Sequence, residues 1–105
     1  MKFVIETNLA SKAAWWLLDD DRAVAWAGTT YLSLTDADQA AHDFRVSADD
    51  TDYRVHVKSG GQWRWTAWHS EGTRVAVSSD WYADEDAARN AARRVQQEAC
   101  TAIGP

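Results

Sequence analysis

Short hydrophobic runs, separated by polar residues, fill the first part of each half of the chain. Such runs, rich in aromatic and β-branched side chains, are typical of strands. Ser59, Gly60 and Gly61 predict a hairpin turn between two of them, because glycine accepts positive φ angles. Six strands are predicted in all, over residues 3–7, 14–18, 23–27, 53–58, 62–68 and 74–78.

An Ala-rich stretch with helical spacing follows each set of three strands. The first stretch presents, at positions i, i+3, i+4 and i+7 on one helix face, Ala37, Ala40, Ala41 and Phe44. Thr35 or Asp36 is expected to cap this helix, and Asp84 the second one. The predicted inner face of the second helix comprises Ala87, Ala88, Ala91, Ala92, Val95 and Ala99. Because these faces are small, we expect the tryptophans of the strands to fill the core.

The two halves of the chain repeat one pattern at a spacing of 51 residues, shown by Tyr31 and Tyr82, Ala40 and Ala91, and Phe44 and Val95. The repeat predicts an α+β fold in which two tandem β-β-β-α repeats form one antiparallel sheet of about six strands with both helices on one face. A single domain over residues 1–105 is expected, with repeat one at about 1–50 and repeat two at about 51–105.

The positions of several aromatic residues carry a family resemblance. They are Phe3 and Tyr53 in the first strands, Trp16 and Trp65 in the second strands, and Tyr31 and Tyr82 after the third strands. The chain resembles the YegP-like family of unknown function over nearly its whole length, and the sequence from Ser79 to Tyr82 is similar to that family's Ser-x-x-Tyr signature. The resemblance implies one continuous sheet, with a strand after each helix that crosses to the other repeat. Residues 45–52 and 101–103 are short for such strands, which could leave a sheet edge open.

Composition and charge narrow the class of protein. A chain of 105 residues that is 46% hydrophobic can bury enough surface to fold alone. The formal net charge of −5 argues against nucleic acid or an anionic membrane as the main partner. Cys100 is the one cysteine, and the apolar run 13–18 is too short for a membrane span or a signal sequence. We therefore expect a cytoplasmic protein that is a monomer or a weak homodimer.

Catalytic chemistry has little support in the sequence. No nucleophile motif accompanies His42, His56 or His69, so no catalytic residue is predicted and the protein is not expected to be an enzyme. The acidic turn of Asp19, Asp20 and Asp21 could offer oxygen ligands to a hard cation, as an enzymatic reading would require. It lacks the glycine and terminal glutamate of a calcium loop, and a solvated turn is the simpler interpretation. A second turn is predicted at residues 69–72. No metal and no cofactor are expected.

Strand alternation divides the side chains between two faces of the predicted sheet. With Phe3, Ile5 and Tyr53 inward, the inward set continues as Trp16, Leu18, Val24, Trp26, Val55, Val57, Trp63, Trp65, Val75 and Val77. The outward set is then Val4, Glu6, Trp15, Leu17, Ala23 and Ala25 in repeat one, and Arg54, His56, Lys58, Arg64, Thr66, Trp68, Arg74 and Ala76 in repeat two. The outer face is predicted to be apolar in one half and basic in the other.

The outward side chains supply the candidate binding residues, which are Arg54, His56, Arg64, Trp68, Arg74, Trp15 and Leu17. Arginine is suited to paired hydrogen bonds with carboxylates, and exposed tryptophan beside arginine is typical of protein interfaces. The sequence therefore predicts a small non-enzymatic interaction module that binds an acidic protein or ligand through the open sheet face. The alternative is a small-molecule binding protein that uses Trp15, Trp68 and neighbouring arginines to hold an aromatic or anionic metabolite. A third interpretation is that these polar residues are simply solvated.

Overall fold

The computed structural model describes residues 1–8, 10–69 and 72–104. The chain forms three strands and a helix, followed by three more strands and a second helix. Each predicted strand is present, with its ends within one residue of the prediction. The elements are β1 (Lys2–Thr7), β2 (Ala13–Asp19), β3 (Arg22–Trp26), α1 (Leu34–Ser47), β4 (Asp52–Val57), β5 (Trp63–Trp68), β6 (Arg74–Ser78) and α2 (Glu85–Glu98). A single turn of 3-10 helix, Ala99–Thr101, follows α2.

All six strands belong to one antiparallel sheet, with the order β1-β2-β3-β6-β5-β4. The two hairpins β1-β2 and β4-β5 form its outer parts, while β3 and β6 meet at its centre. The predicted α+β class and the single antiparallel sheet are therefore confirmed.

The helices pack against one face of this sheet and leave the other open. Helix α1 contacts β1 and β2, while α2 contacts β3, β4 and β5, and residues of both helices belong to one buried cluster. Within it, Trp15 stacks on Phe44 at a centroid distance of 5.1 Å, and Phe3 packs edge-on against Trp15 at 5.5 Å. The alanine faces of the helices lie close to the sheet, so these large rings fill the core.

The helices begin at side-chain caps that occupy equivalent positions in the two halves. Ser33 caps α1, because its hydroxyl accepts a hydrogen bond of 3.0 Å from the amide of Asp36. The expectation of Thr35 or Asp36 as the cap is wrong, since the helix already includes Leu34. Asp84 caps α2 as predicted, by accepting a bond of 2.8 Å from the amide of Ala87.

The predicted orientation of β2 is wrong. Trp15 and Leu17, expected on the outer face, are fully buried beneath α1, and Trp16 and Leu18 take the open face. The cross-strand register gives the reason, because Leu17 lies opposite Phe3 on the side that faces the helix. Residues directly opposite each other in a sheet share a face, so the buried side of β1 continues into Trp15 and Leu17.

The error arises from the spacing between the halves, which is not constant. Thr7 pairs with Ala13 and Val57 with Trp63, so the two outer hairpins have loops of equal length. Equivalent residues of the two hairpins therefore lie one position closer along the chain than equivalent residues of the two helices. Trp15, rather than Trp16, is the counterpart of Trp65. The longer spacing begins only after the turn that leads into β3 or β6.

That turn is one residue longer in the second half. In the first half Asp19 pairs with Arg22, and the two residues between them, Asp20 and Asp21, have left-handed φ angles of 49° and 68°. In the second half the amide of His69 donates to the carbonyl of Thr73, with three residues between. The predicted turn at 69–72 includes Ser70 and Glu71, which lie outside the described residues.

A β-bulge in each half changes which side chains of the central strands β3 and β6 face the helices. Val24 is the extra residue in β3, and Val75 is its counterpart in β6. Both pack against the core as expected, because a bulge places two successive side chains on the same side. The prediction is wrong for the next residues, since Ala25 and Ala76 are buried on the helix side. Trp26 and Val77, predicted inward, consequently face the open side.

The segment after α2 crosses to the first half of the sheet. The amide of Phe3 donates to the carbonyl of Ile103 at 2.9 Å, and the amide of Ile103 donates to the carbonyl of Met1 at 3.1 Å. These bonds form a short parallel bridge on the outer edge of β1. Helix α1, by contrast, leads directly into β4, and among the described residues no segment pairs with the outer edge of that strand.

Candidate interaction surface

A row of six side chains, one from each strand, crosses the open face of the sheet. In order from edge to edge they are Val4, Trp16, Trp26, Val77, Thr66 and Arg54, each directly opposite the next. Trp16 and Trp26 stack on each other, with a centroid distance of 5.1 Å and an interplanar angle of 15°. The row is apolar over β1, β2, β3 and β6 and becomes polar at β5 and β4.

Basic residues surround two tryptophans in the second half of this face. We call this group the basic surface, and it comprises Arg54, His56, Lys58, Arg64 and Arg74 with Trp68 and Trp81. The register places His56 opposite Arg64 and Trp68 opposite Arg74. The candidate binding residues predicted for the basic half of the outer face are therefore brought together.

Three cations of the basic surface rest on the faces of the tryptophan rings. Lys58 Nζ lies 4.6 Å and Arg64 Cζ 4.7 Å from the ring centroid of Trp81. Arg54 Cζ lies 5.6 Å from the ring centroid of Trp68, whose indole nitrogen donates to Thr66 Oγ1 at 2.8 Å. Such cation–π contacts limit the freedom of long side chains and hold their charge in a defined place.

Trp81 is the member of this surface that the sequence did not identify as a binding residue. It lies in the loop between β6 and α2, far from Lys58 along the chain, and it is 39% exposed. Its contacts come from β5 and from the turn before it, and no spacing along the chain reveals them. The one signal in the sequence for Trp81 was its position next to Tyr82, within the segment similar to the family's Ser-x-x-Tyr signature.

Electrostatic repulsion is built into the basic surface. Burial, followed by the charges of Arg64 and Arg74, lowers the pKa of His56 below its usual value. Burial and the charge of Arg74 also lower the pKa of Arg64. The guanidinium groups of Arg64 and Arg74, which an anionic partner would neutralise, therefore also favour the neutral form of the His56 imidazole.

Only part of this positive charge is compensated within the chain. Arg54 pairs with Asp52 at 2.8 Å, and Arg74 donates to the carbonyl of Gly28 at 3.1 Å. Over residues 1–8, 10–69 and 72–104, Lys58, Arg64 and Arg74 form no ion pair, and Arg64 Nε is buried without a hydrogen-bond partner. The arrangement favours an anionic group from outside the chain.

The apolar half of the open face is present, but its residues differ from the predicted ones. Trp15 and Leu17 cannot contact a partner, because both are completely buried in the core. Trp16 and Trp26 occupy this region instead, beside a shallow cavity of about 270 Å³ that Glu6 and Lys12 also line. The partial exposure of these two rings gives the basic surface an apolar neighbour.

The acidic turn does not gather its carboxylates around a point. Asp19 turns toward α2, where it pairs with Arg94 at 2.8 Å, while Asp20 and Asp21 are exposed at the tip of the turn. Within the described part of the chain, no group of three or more histidine, cysteine, aspartate or glutamate side chains could hold a metal ion. The described helices also include none that is long and apolar enough to cross a membrane.

Comparison with known proteins gives a family match for the second half of the chain. Residues 59–102 match the model of a family described as Domain of unknown function (DUF1508). The matched segment runs from the β4–β5 turn through β5, β6 and α2. Among curated proteins, none matches the sequence significantly.

Two solved structures have the same fold as the whole chain. A UPF0339 protein from Shewanella oneidensis superposes with a TM-score of 0.80 at 11% identity, covering 98% of this chain and 88% of that one. The protein of unknown function YegP from E. coli superposes with a TM-score of 0.79 at 14% identity, covering 98% of this chain and 89% of that one. At these identities the similarity shows the fold alone.

Proposed function

We propose that this chain is a small non-enzymatic interaction module that binds an acidic protein segment through its open sheet face. Its expected similarity to the YegP-like proteins of unknown function is confirmed. The observation that carries the proposal is the pair of cations, Lys58 and Arg64, held on the ring of the partly exposed Trp81. Arg54 is held in the same way on Trp68. These charges are in place before a partner arrives.

Charge segregation supports this choice of partner. The chain has a net charge of −5, yet its open face concentrates arginine and lysine over β4, β5 and β6. Many of the acidic residues lie on the two helices, on the opposite side of the sheet, including Asp36, Asp38, Asp43, Glu85 and Asp86. A local positive field on an acidic protein attracts carboxylates and speeds association, while the total charge disfavours long polyanions.

Pre-organisation also supports the proposal. An arginine loses conformational freedom when it binds, which weakens the interaction. Cation–π contacts on Trp68 and Trp81 already restrict Arg54 and Arg64, so less freedom remains to be lost. The same contacts occupy faces of the two rings, which makes a base-stacking platform for single-stranded nucleic acid a poorer fit.

We also propose that the two halves are diverged copies of one β-β-β-α unit. The element order occurs twice, the cap Ser33 corresponds to Asp84, and the bulged Val24 corresponds to Val75 at the same spacing. The family model matches the second half, which fits one copy being closer to the common pattern. We further propose that the protein is cytoplasmic, and its single cysteine, Cys100, is compatible with that location.

Small-molecule binding at the open face is the weaker candidate. Its predicted site combined Trp15 with Trp68, and Trp15 is buried in the core. Trp16 and Trp26 would have to replace it, but their rings stack on each other rather than opening as a pair.

A matched pair of charge-reversal variants tests the proposal. Arg64→Glu/Arg74→Glu alters the basic surface, and Arg89→Glu/Arg93→Glu makes the same change in net charge on the exposed side of α2. The probes are an acidic peptide of alternating glutamate and phenylalanine, its lysine analogue and a single-stranded oligothymidylate, titrated into each ¹⁵N-labelled protein. Backbone spectra of the free proteins verify that each variant is folded.

We expect the acidic peptide to shift the amide resonances of β4, β5 and the Trp81 loop in the wild type and in the helix variant. The basic-surface variant should bind at least about tenfold more weakly, because two charge-assisted contacts are lost. Equal binding by all three proteins, or a preference for the oligothymidylate, contradicts the proposal.

A further inference from the structure

A second candidate site lies on the helix side of the sheet, away from the basic surface. Here α2 and the end of the β2-β3 hairpin enclose a cavity of about 330 Å³. Val24, Ala91 and Val95 contribute apolar surface to it. Its volume is at the lower end of the range of small-molecule sites and is sufficient for a molecule the size of an amino acid.

Two ion pairs line this cavity. Arg22 pairs with Asp80 at 2.7 Å, and Arg94 pairs with Asp19 at 2.8 Å. Arg94 Nε also pairs at 2.8 Å with Glu98, which does not line the cavity. The side chains of Arg22 and Arg94 are 74% and 55% exposed, so a ligand can reach both guanidinium groups. Tyr82 adds a half-buried hydroxyl close to the first pair, and burial, together with the charge of Asp80, raises its pKa. The phenol therefore stays protonated and can donate a hydrogen bond.

The arrangement of these charges limits the ligands that fit. A simple anion would meet Asp19 and Asp80 as well as the arginines, and a simple cation would meet both guanidinium groups. A zwitterion can place its carboxylate at the arginines and its ammonium group at the aspartates without leaving any charge unmatched. Exposed ion pairs such as these are weak, so breaking them to admit a ligand costs little free energy.

We infer that this cavity binds a small aliphatic zwitterion of the α-amino acid class. Its carboxylate contacts Arg22 and Arg94, its ammonium group contacts Asp80 and Asp19, and its aliphatic part lies against Ala91 and its apolar neighbours. The inference is independent of the proposed function, because the cavity and the basic surface share no residue.

A counterpart cavity between α1 and the end of the β5-β6 hairpin shows that the fold does not impose this set of charges. It has a volume of about 240 Å³ and is lined by Ala40, the counterpart of Ala91. The positions that correspond to Arg94 and Arg22 are Asp43 and Thr73. Two arginines with two aspartates are therefore a property of the first cavity alone within this pair.

The test uses three matched probes on the intact protein: L-leucine, its deaminated analogue 4-methylpentanoate and its decarboxylated analogue 3-methylbutylamine. L-alanine and L-valine extend the set toward smaller side chains. Binding is followed at millimolar concentrations by changes in the backbone amide spectrum. Ala91→Leu fills the cavity, and Ala40→Leu makes the same change in the counterpart cavity. Arg94→Gln, with Arg93→Gln as its control, removes one cation from an exposed position and is expected to leave the fold intact.

At least one of the amino acids is expected to shift resonances of β3 and α2, with each singly charged analogue at least tenfold weaker. Ala91→Leu and Arg94→Gln should each reduce binding at least tenfold, while Ala40→Leu and Arg93→Gln retain it. The inference is overturned if no amino acid binds or if 4-methylpentanoate binds as well as L-leucine. Binding that survives both cavity variants also overturns it.

Discussion

Trp26 lies directly opposite Val77 where β3 meets β6, and these two residues occupy equivalent positions in the two halves of the chain. Each is therefore paired with its own counterpart. A two-fold axis through the centre of the sheet would require this pairing. The relation explains how two hairpins whose strands do not pair with each other contribute to one continuous sheet. It also places equivalent loops of the two halves at opposite ends of the sheet.

Neighbouring tryptophans in β2 are expected to differ sharply in their contribution to stability. Trp15 is fully buried and stacked on Phe44, so Trp15→Ala should lower the free energy of unfolding by about 3–5 kcal/mol. Trp16 is partly exposed, and Trp16→Ala, which removes the stack with Trp26, should cost about 1–2 kcal/mol. Urea unfolding of both variants measures the difference. A larger loss for Trp16→Ala would contradict the observed faces of β2.

His56 should make the protein less stable in mild acid. Its pKa is lowered in the folded state, so the unfolded chain binds the proton first as the pH falls. Stability should therefore be complete above the ordinary pKa of histidine, about 6.5, and decrease as the pH falls toward the lowered value. His56→Gln should have a flatter profile of unfolding free energy between about pH 7 and pH 5. A profile identical to that of the wild type would disprove this coupling.

Tyr53 connects the end of α1 to β4, and its phenol should ionise at a higher pH than an ordinary tyrosine does. Its hydroxyl donates to the carbonyl of Ala48 at 2.7 Å, and burial raises its pKa to about 12. Tyr53→Phe should lower the free energy of unfolding by about 0.5–1.5 kcal/mol. Because the folded pKa is raised, the contribution of the phenol is complete below about pH 10 and is lost as the pH rises toward 12.

Alkaline titration distinguishes this role from simple packing. The loss of stability above about pH 10 should be smaller in Tyr53→Phe than in the wild type, measured by urea unfolding at a series of pH values. Absorbance of the tyrosinate ion in the folded wild type should show one phenol that ionises with a pKa of about 12. Equal alkaline loss in both proteins would count against the connection.

The β2–β3 turn can be stabilised by better turn residues. Asp20 and Asp21 both have left-handed φ angles, for which Asn followed by Gly is the preferred sequence. Asp20→Asn/Asp21→Gly should raise the free energy of unfolding by roughly 1 kcal/mol and raise the melting temperature. The control, Asp49→Asn/Asp50→Gly, removes the same charge where neither residue has a positive φ. It should leave stability unchanged or lower it, and an equal gain in both would assign the effect to charge.

The sequence predicted strand positions well because local signals mark them. Each strand is a short run rich in hydrophobic residues between turn residues, and these signals do not depend on distant contacts. The faces of β2, β3 and β6 were harder to predict, since alternation relates residues within one strand but does not fix which side faces the helices. A β-bulge in β3 and in β6 also interrupts the alternation. Aligning Trp16 with Trp65 chose the wrong side, because the shorter turn at Asp20 and Asp21 changes the spacing only after β2.

The candidate surface was predictable in the second half for the same reason. Arg54, His56, Arg64 and Trp68 lie on strands whose orientation was correct, so their grouping followed from alternation alone. The role of Trp81 depends on contacts between a loop and two other parts of the chain, and no periodic pattern encodes these.

The bridge between Ile103 and Lys2 brings the two ends of the described chain side by side. A circularly permuted protein can therefore be made by joining the ends with a short linker and opening the chain between Asp49 and Asp50, which are exposed. In such a protein the second half would be synthesised first and the first half last. Because β3 and β6 would still meet at the centre, the order of the two halves along the chain should not matter to the final fold.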